Sequence, residues 1–273
     1  MWNWMKTFGL LTSMTLMLML VGEAFGGSNG MLLMLGVAGL MNFGAFFFSD
    51  KIVLRTSGAQ PLDDPRLAWL HEDIEELSEK AGIPKPRLYW VPHEASPNAF
   101  ATGRSPSKGI VAVTAGLINN LDRRQIKGVL AHELGHIKHR DTLTSAVAAT
   151  MAGAVSYAAR MMLWGRSRRG NPLLMIAIAV AAPAAALMLR MMVSRTREYA
   201  ADKRAAELTG DPEGLALALE GLSGGVKRQP LSTGSDATHY IVNGFAGGGV
   251  MSKLFSTHPP IEERARRLRA MKL

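Results

Sequence analysis

The chain has 273 residues, of which 48% are apolar and 19% charged, and it contains no cysteine. This composition excludes a disordered or fibrous chain. It also excludes disulfides, iron–sulfur clusters and cysteine nucleophiles, so any metal requires histidine, aspartate or glutamate ligands. The net charge of +9 fits two anionic partners, a nucleic acid or a membrane surface, and the positions of the basic residues decide between them.

Residues 1–49 are predicted to form an N-terminal transmembrane hairpin of two helices. The second apolar run, Met31–Ser49, is uncharged and long enough to cross the roughly 30 Å hydrocarbon layer. The first run, Thr7–Gly22, is shorter, and a turn over residues 23–30 joins the two. A secretory signal peptide is the alternative for the first run, because a single lysine precedes it and small residues follow it.

Residues 50–141 form a polar block with the pattern of an α+β domain. A helix is predicted to begin at Asp63-Asp64-Pro65 and to end before Gly82, with apolar residues at helical spacing between them. A second helix is predicted over residues 123–140. Three β-prone runs lie between these helices and predict a small sheet: residues 87–91, 98–102 and 109–114. The order of helix, small sheet and helix indicates the α+β class.

Residues 142–193 are predicted to contain a second, weaker transmembrane hairpin. Its two runs, Thr142–Ala159 and Gly170–Leu189, are uncharged but rich in alanine, glycine and serine, and Pro183 would kink the second. A buried helical hairpin of a soluble domain is the alternative. Residues 194–273 form a second polar block, which is expected to complete the domain begun by residues 50–141.

The basic residues indicate how the apolar runs are oriented. Lys51 and Arg55 follow the second run, whereas the turn before it has no lysine or arginine. The positive-inside rule therefore places both polar blocks in the cytoplasm. Three arginines in the loop of the second hairpin oppose this rule: Arg166, Arg168 and Arg169.

The segment His132-Glu133-Leu134-Gly135-His136 lies within the helix predicted over residues 123–140. Residues four apart share one face of a helix, with Cβ atoms about 6 Å apart, so both imidazoles can bind one cation. Glu133 is placed beside that cation, where it can take a proton from metal-bound water. This arrangement indicates a metal-dependent hydrolase. Two unrelated histidines on a surface helix are the alternative.

A catalytic zinc usually has three protein ligands, so the second polar block is expected to supply the third. Glu198 and Asp202 share one helix face there, and Asp202 and Glu207 are competing ligands. The alternative is that Glu198 and Asp202 are solvated carboxylates that pair with neighbouring basic residues. The pattern of the residues by itself favours this alternative.

The chain resembles the M48 class of membrane-embedded zinc metalloproteases. The resemblance rests on the HELGH segment, on EYAAD about 60 residues further on, and on two apolar runs before and two between these motifs. Asn98-Ala99-Phe100 and Ser256-Thr257-His258-Pro259-Pro260 with Arg264 also match recurring segments of that family. The resemblance covers nearly the whole chain. It implies a multi-span membrane protein with a zincin-like, mainly helical catalytic domain that carries a small β-sheet.

The resemblance also implies roles for residues in this sequence. It makes Glu198 the third ligand of a single Zn²⁺ per chain, Glu133 the general base, and Asp202 the hydrogen-bond partner of a ligand histidine. It implies a role in the transition state for His258 or Arg264. A substrate peptide is expected to add as a further strand along an edge formed by Asn98, Ala99, Phe100 and Ala101. Residue chemistry leaves a capping histidine at position 258 and a solvated arginine at position 264 as alternatives.

The leading hypothesis is a zinc endopeptidase of the bacterial cytoplasmic membrane, with its catalytic domain in the cytoplasm. The resemblance implies polypeptide substrates, namely misfolded or damaged membrane proteins, a part in stress response and protein quality control, and self-cleavage on release from the membrane. A non-catalytic membrane scaffold or adaptor with a structural zinc is the alternative. Nucleic-acid binding is disfavoured, because the basic residues flank apolar runs or lie on the C-terminal helix.

Overall fold

The computed structural model describes residues 2–148, 195–226 and 259–272. The chain divides into two compact units, Met1–Ser49 with Leu143–Met192, and Asp50–Thr142 with Val193–Leu273. Of the second predicted hairpin only residues 142–148 are described, and they are helical. The rest of both its runs, and the segment that contains His258, lie outside the described residues.

Helix α1 (Trp2–Thr56) is interrupted at Gly26 and Gly27, where the backbone leaves helical geometry. The turn expected over residues 23–30 is therefore confined to these two glycines, and the residues around them stay helical. The part from Gly26 to Thr56 has 31 residues and contains an 18-residue window with a mean hydropathy of 2.0, so it is long and apolar enough to cross a membrane. Residues Thr7–Leu20 form a shorter apolar helix.

The two arms of α1 contact each other in the first unit. The side-chain amide of Asn42 donates to Thr15 Oγ1 at 2.8 Å and to the carbonyl of Leu11 at 3.3 Å. Most of the apolar surface remains uncovered, since only 11% of the apolar window of the longer arm is buried. Large exposed side chains include Phe8 and Leu40, which are 72% and 76% exposed. An apolar surface of this extent suits contact with lipid.

The second unit begins with helix α2 and a small mixed sheet. Asp64 accepts from the backbone N–H of Arg66 at 2.9 Å and caps a 3₁₀ turn over Pro65–Leu67, which leads into α2 (Ala68–Ala81). The four strands are β1 (Gln60–Pro61), β2 (Arg87–Val91), β3 (Ala99–Thr102) and β4 (Ile110–Thr114). The strand β1 was not predicted, because two residues leave no period to detect. The strands β3 and β4 each begin one residue later than expected.

The strand order is β1-β2-β4-β3, with β2 parallel to β4 and the other pairs antiparallel. The register pairs Leu88 with Val111 and Phe100 with Ala112. Strand β3 therefore lies at an edge of the sheet, next to β4. Among the described residues no strand pairs with its other side.

In the described part of the second unit five helices follow the sheet, and α2 lies between β1 and β2 in the chain. They are α3 (Ala115–Asn120), α4 (Arg123–Lys138), α5 (Arg195–Thr209), α6 (Pro212–Val226) and α7 (Ile261–Arg269), with α2 completing the set. Fully buried side chains from α2 and α4, such as Leu70, Ile74, Leu130 and Leu134, pack in one core with Ala205 of α5. The described chain is mostly helical with a small mixed sheet.

Helix α4 ends at Lys138, two residues earlier than predicted. The cause is Arg140, which has a left-handed backbone with φ of 59° and cannot continue the helix. At its other end a capping box starts the helix: Asp122 accepts from the N–H of Gln125 at 2.8 Å, and the Gln125 side chain accepts from the N–H of Asp122 at 3.1 Å.

Candidate metal centre

The two histidines of HELGH lie one turn apart on α4 and point their imidazoles at a common position. The distance between His132 Nε2 and His136 Nε2 is 3.2 Å. His132 is buried, with only 3% of its surface exposed. The spacing of four residues in the helix therefore brings the two ring nitrogens together, as the sequence pattern predicts.

Glu198 reaches the same position from the first turn of α5. Its Oε1 lies 3.6 Å from His136 Nε2, and its Oε2 lies 3.8 Å from His132 Nε2. The three ligand atoms of His132, His136 and Glu198 all lie within 4.8 Å of one another. Glu198 is 4% exposed, so it is not a solvated surface carboxylate.

These distances fit a tetrahedral metal ion. Ligand bonds of about 2.0–2.2 Å to zinc separate neighbouring ligand atoms by about 3.3–3.5 Å. The observed separations of 3.2, 3.6 and 3.8 Å require small shifts of side chains only. Two imidazoles and one carboxylate also form a donor set that zinc prefers, and they leave one position of a tetrahedron for solvent or substrate.

The electrostatics of the site favour a cation. Burial lowers the pKa of His136, but its hydrogen bond with Asp141 and the charges of Glu198 and Glu133 outweigh burial and raise that pKa to about 9. The pKa of His132 is lowered, since burial there outweighs the effect of Asp202. At His136 the neighbouring carboxylates therefore favour a positive charge, which a metal ion could also supply.

Glu133 is 3% exposed and lies next to His132 on α4. Burial is the main cause that raises its pKa to about 7, and the charge of Glu198 adds to it. The backbone N–H of Ala101 on β3 donates to its carboxylate and acts in the opposite direction. A carboxyl group with a pKa near neutrality is suited to exchange protons during a reaction.

Asp202 contacts the other ring nitrogen of His132, and Arg264 in turn contacts Asp202. Asp202 Oδ1 lies 3.0 Å from His132 Nδ1, and it can accept the proton of that nitrogen. Arg264 holds Asp202 with two hydrogen bonds, Nε to Oδ2 at 2.8 Å and Nη2 to Oδ1 at 2.7 Å. Burial would raise the pKa of Asp202, but the bonds from Arg264 and His132 outweigh it and lower that pKa.

Arg264 is 1% exposed, so the alternative of a solvated arginine is wrong. Its Nη1 lies 3.5 Å from Glu198 Oε2, so one guanidinium compensates two buried carboxylates. The neighbouring arginines of α7 are at the surface, and nothing in their spacing distinguishes position 264 in the sequence. The contacts of Arg264 are those of a positioning residue, and its expected role in the transition state stays a prediction.

Two further expectations concern the second polar block. Glu207 was expected to compete with Glu198 as a ligand. It instead pairs with Lys203 and Arg204 at the surface and does not belong to the group formed by His132, His136 and Glu198. His258 lies outside the described residues, so its role stays a prediction.

Sequence reasoning missed Asp141 and Arg197. Asp141 Oδ2 lies 3.3 Å from His136 Nδ1, and Arg197 Nη1 lies 3.3 Å from Asp141 Oδ1. Asp141 is five residues after His136, a spacing that does not share a helix face. Arg197 is adjacent to Glu198, where the sequence suggests only a surface ion pair. A carboxylate just beyond the end of the ligand helix is the one signal that pointed to Asp141.

The edge strand lies beside this centre. Asn98 precedes β3, and its backbone N–H donates to Thr114 Oγ1 at 2.9 Å, which holds the start of the strand. Ala99 and Phe100 are buried, and Ala101 is partly exposed and donates to Glu133. Three of the four residues expected to bind substrate therefore lie in the edge strand and the fourth precedes it, and Ala101 is the one that contacts the carboxylate of Glu133.

A fold of helices around a small mixed sheet, with an HExxH helix and a third acidic residue, is that of a metalloprotease. The sequence profile of peptidase family M48 matches residues 65–272. The chain belongs to peptidase family M48. It is therefore a hydrolase of the metalloprotease class, and the resemblance inferred from its motifs is confirmed.

Relatives of nearly equal length match almost the whole chain. The chain is 44% identical to the protease HtpX homolog of Syntrophobacter fumaroxidans, over 97% of this chain and 98% of that protein. It is 43% identical to the protease HtpX homolog of Ralstonia pickettii, over 99% and 97% respectively. The structure also resembles the crystal structure of Ste24p from S. mikatae, with a TM-score of 0.54. The identity to Ste24p is 18%, and the match covers 97% of this chain and 65% of that protein, so this similarity concerns the fold alone.

Proposed function

We propose that the chain is a membrane-anchored, zinc-dependent endopeptidase whose metal ligands are His132, His136 and Glu198. The observation that supports it most directly is the approach of three donor atoms within 4.8 Å, from two helices separated in sequence. A bound zinc ion would polarise a peptide carbonyl and lower the pKa of water. The chain contributes one zinc site of this kind, and polypeptides are its substrates.

Glu133 is proposed as the general base. Its carboxylate accepts a proton from the attacking water and later gives it to the leaving amine, for which a pKa of about 7 is suited. The hydrogen bond from the N–H of Ala101 orients this carboxylate toward the edge strand. The residues that hold the metal and the residue that moves the proton are therefore adjacent on α4.

A substrate peptide is proposed to bind in extended form along β3. The outer side of an edge strand can pair through its backbone with a further strand, which gives affinity without selecting a particular sequence. Asn98, Ala99, Phe100 and Ala101 would then form the substrate-binding edge. The contact between Ala101 and Glu133 would hold a bound peptide bond next to the base.

The membrane proposal rests on α1 and on the basic residues that follow it. The apolar part of α1 ends with Lys51 and Arg55 in its last turns, both exposed. The positive-inside rule then favours a cytoplasmic catalytic domain in a multi-span protein of the bacterial inner membrane. Misfolded or damaged membrane proteins are the proposed substrates, since such chains expose the extended segments that an edge strand can bind.

The test is a Glu133→Gln variant of the detergent-purified full chain. We expect it to retain one zinc ion per chain in elemental analysis, because Glu133 is not a ligand. Cleavage of a denatured test protein should fall by at least about 100-fold, since the proton acceptor is lost. Chelation should abolish cleavage by the unchanged chain, and added Zn²⁺ should restore it.

Glu79→Gln is a matched control, because Glu79 is an exposed glutamate on α2. It should leave both zinc content and cleavage unchanged. Undiminished cleavage by Glu133→Gln would refute the mechanism. A chain that binds zinc but cleaves nothing in either form would support the alternative of a scaffold with a structural zinc.

A further inference from the structure

His136 has a carboxylate partner of its own, as His132 has Asp202. Asp141 Oδ2 lies 3.3 Å from the Nδ1 of His136, the nitrogen that faces away from the other ligands. Arg197 Nη1 lies 3.3 Å from the second oxygen of Asp141. Each of the two histidines therefore contacts an aspartate, and each aspartate contacts an arginine. His132, Asp202 and Arg264 are all buried, whereas the side chains of Asp141 and Arg197 are 8% and 11% exposed.

The backbone after α4 makes this contact possible. Residues five apart on a continuous helix do not share a face, so Asp141 could not reach His136 if the helix continued. Arg140 has a φ of 59°, a left-handed conformation that is uncommon for residues with a Cβ atom. It interrupts the helix after Lys138, and Asp141 then lies close enough to contact His136. Sparsely populated backbone conformations of this kind persist where the surrounding structure requires them.

The ion pair also joins the two helices that carry the ligands. Asp141 lies just beyond the end of α4, and Arg197 immediately precedes Glu198 on α5. A contact between them therefore limits the movement of His136 relative to Glu198. In the sequence these two residues lie on either side of residues 143–192, which belong to the first unit. The ion pair therefore joins the two segments of the second unit near the points where the chain leaves that unit and returns to it.

We infer that Asp141 is a positioning residue of the metal centre, held in place by Arg197 and by the left-handed backbone of Arg140. It accepts the Nδ1 proton of His136 and so selects the tautomer whose Nε2 carries the lone pair for the metal. Arg197 fixes the orientation of the carboxylate. The inference rests on the proposed function, since it assumes that His136 binds a metal.

The first test is the zinc affinity of the detergent-purified full chain, measured by competition with a chelating dye. Asp141→Asn keeps the size of the side chain but removes the charge that makes the imidazole a stronger ligand. We expect it to weaken zinc binding by about 10- to 100-fold. Asp141→Glu keeps the carboxylate and should recover part of the loss. In the cobalt-substituted protein, Asp141→Asn should also shift the visible absorption bands, which report the ligand field directly.

Asp211→Asn is the control for loss of an aspartate–arginine pair elsewhere in the second unit. Asp211 accepts two hydrogen bonds from Arg124, at 2.5 and 2.7 Å, and is not part of the metal centre. Its variant should leave zinc affinity and the cobalt spectrum unchanged. Equal zinc affinity for Asp141→Asn and the unchanged chain would overturn the inference.

A second pair of variants tests the backbone without changing the carboxylate. Arg140→Gly and Arg140→Val both remove the arginine side chain, but only glycine adopts the left-handed conformation readily, and a β-branched residue resists it. We expect zinc binding at least about tenfold weaker for Arg140→Val than for Arg140→Gly, because Asp141 is misplaced. This pair decides the question if Asp141→Asn fails to fold. Equal affinities for the two would overturn the inference.

Failure of the inference and failure of the proposed function give different results. If the unchanged chain binds no zinc, the proposed function fails. If the unchanged chain binds one zinc ion and the variants of Asp141 and Arg140 bind it equally well, only the positioning role fails.

Discussion

Arg264 is a buried arginine that compensates buried acids. It makes two hydrogen bonds to Asp202 and lies 3.5 Å from Glu198, while being 1% exposed itself. Removing one partner of a buried ion pair leaves an uncompensated charge in a medium of low dielectric constant. The arginine is therefore expected to matter for stability as well as for the orientation of the ligands.

Arg264→Met keeps the length of the side chain and removes its charge. We expect the free energy of unfolding in urea to fall by about 3–5 kcal/mol, because Asp202 is then buried without its cation. Zinc affinity should fall as well, since Asp202 is no longer oriented toward His132. The measurement is urea unfolding of the detergent-purified chain, followed by circular dichroism.

Arg266→Met is the matched control on the same helix. Arg266 has a side chain that is 76% exposed and pairs with Glu263, also on α7. Its replacement should change the free energy of unfolding by no more than about 0.5 kcal/mol. Similar losses for the two variants would show that the ion pair with Asp202 is not what makes position 264 important.

At the scale of elements, the candidate metal centre depends on how closely α4 and α5 approach. A Cβ atom added to Gly135 would lie 3.3 Å from the Cα and 3.4 Å from the Cβ of Ala201. The two helices can pack at this distance because a glycine faces an alanine. His136 directly follows Gly135, and Glu198 lies three residues before Ala201, so the separation of the helices affects the separation of the proposed ligands.

Gly135→Ala should therefore affect the metal more than the fold. The added methyl group moves α5 by a few tenths of an ångström, while alanine improves helix propensity by up to about 1 kcal/mol. We expect zinc affinity to fall by about tenfold, with little change in the midpoint of urea unfolding. An unchanged zinc affinity would mean that the site adapts to the shift.

Gly128 lies on the same helix and provides the comparison. A Cβ there would lie 2.9 Å from the backbone nitrogen of Leu215 on α6, closer than real contacts allow. Gly128→Ala should reduce the free energy of unfolding by about 1–3 kcal/mol, through overpacking between α4 and α6. The folded fraction should retain its zinc affinity, because α6 carries no ligand.

Helical periodicity accounts for the elements that could be predicted. Leu70, Ile74 and Leu77 recur at helical spacing in the sequence, and all three are fully buried in α2. The pair Gln60–Pro61 forms β1 only because β2 is there to pair with, so no local pattern indicates it. The end of α4 was misplaced for a similar reason, since an arginine gives no sign of a left-handed backbone.

At the scale of the whole molecule, the chain is divided so that each unit contains residues from distant parts of the sequence. The second unit combines Asp50–Thr142 with Val193–Leu273, and the proposed ligands come from both segments. A metal site of this kind cannot form from either segment alone. Zinc binding should therefore depend on the folding of the whole second unit.

The orientation in the membrane can be tested because the chain has no cysteine. A single cysteine at Ser28, exposed beside the interruption of α1, should react with an impermeant maleimide in intact cells. A single cysteine at Ser107, exposed after β3, should react only after the cells are broken. Labelling of Ser107→Cys in intact cells would contradict a cytoplasmic catalytic domain.

The sequence by itself determined the chemistry that lies within one helix. His132, Glu133 and His136 are neighbours in the chain, and the helical period alone brings the two imidazoles together. The apolar run of α1 was also evident from composition, since the length of a span depends only on consecutive residues. Both features are local, so they need no knowledge of how the chain folds back.

Only the tertiary structure decided which distant side chains complete the centre. Glu198, Asp202 and Arg264 are buried around His132, although their local sequence suggested surface carboxylates and a surface arginine. Asp141 reaches His136 because Arg140 has a left-handed backbone, which its residue type does not indicate. Contacts between residues far apart in the chain depend on the packing of all the elements between them, and that packing is not encoded in any short pattern.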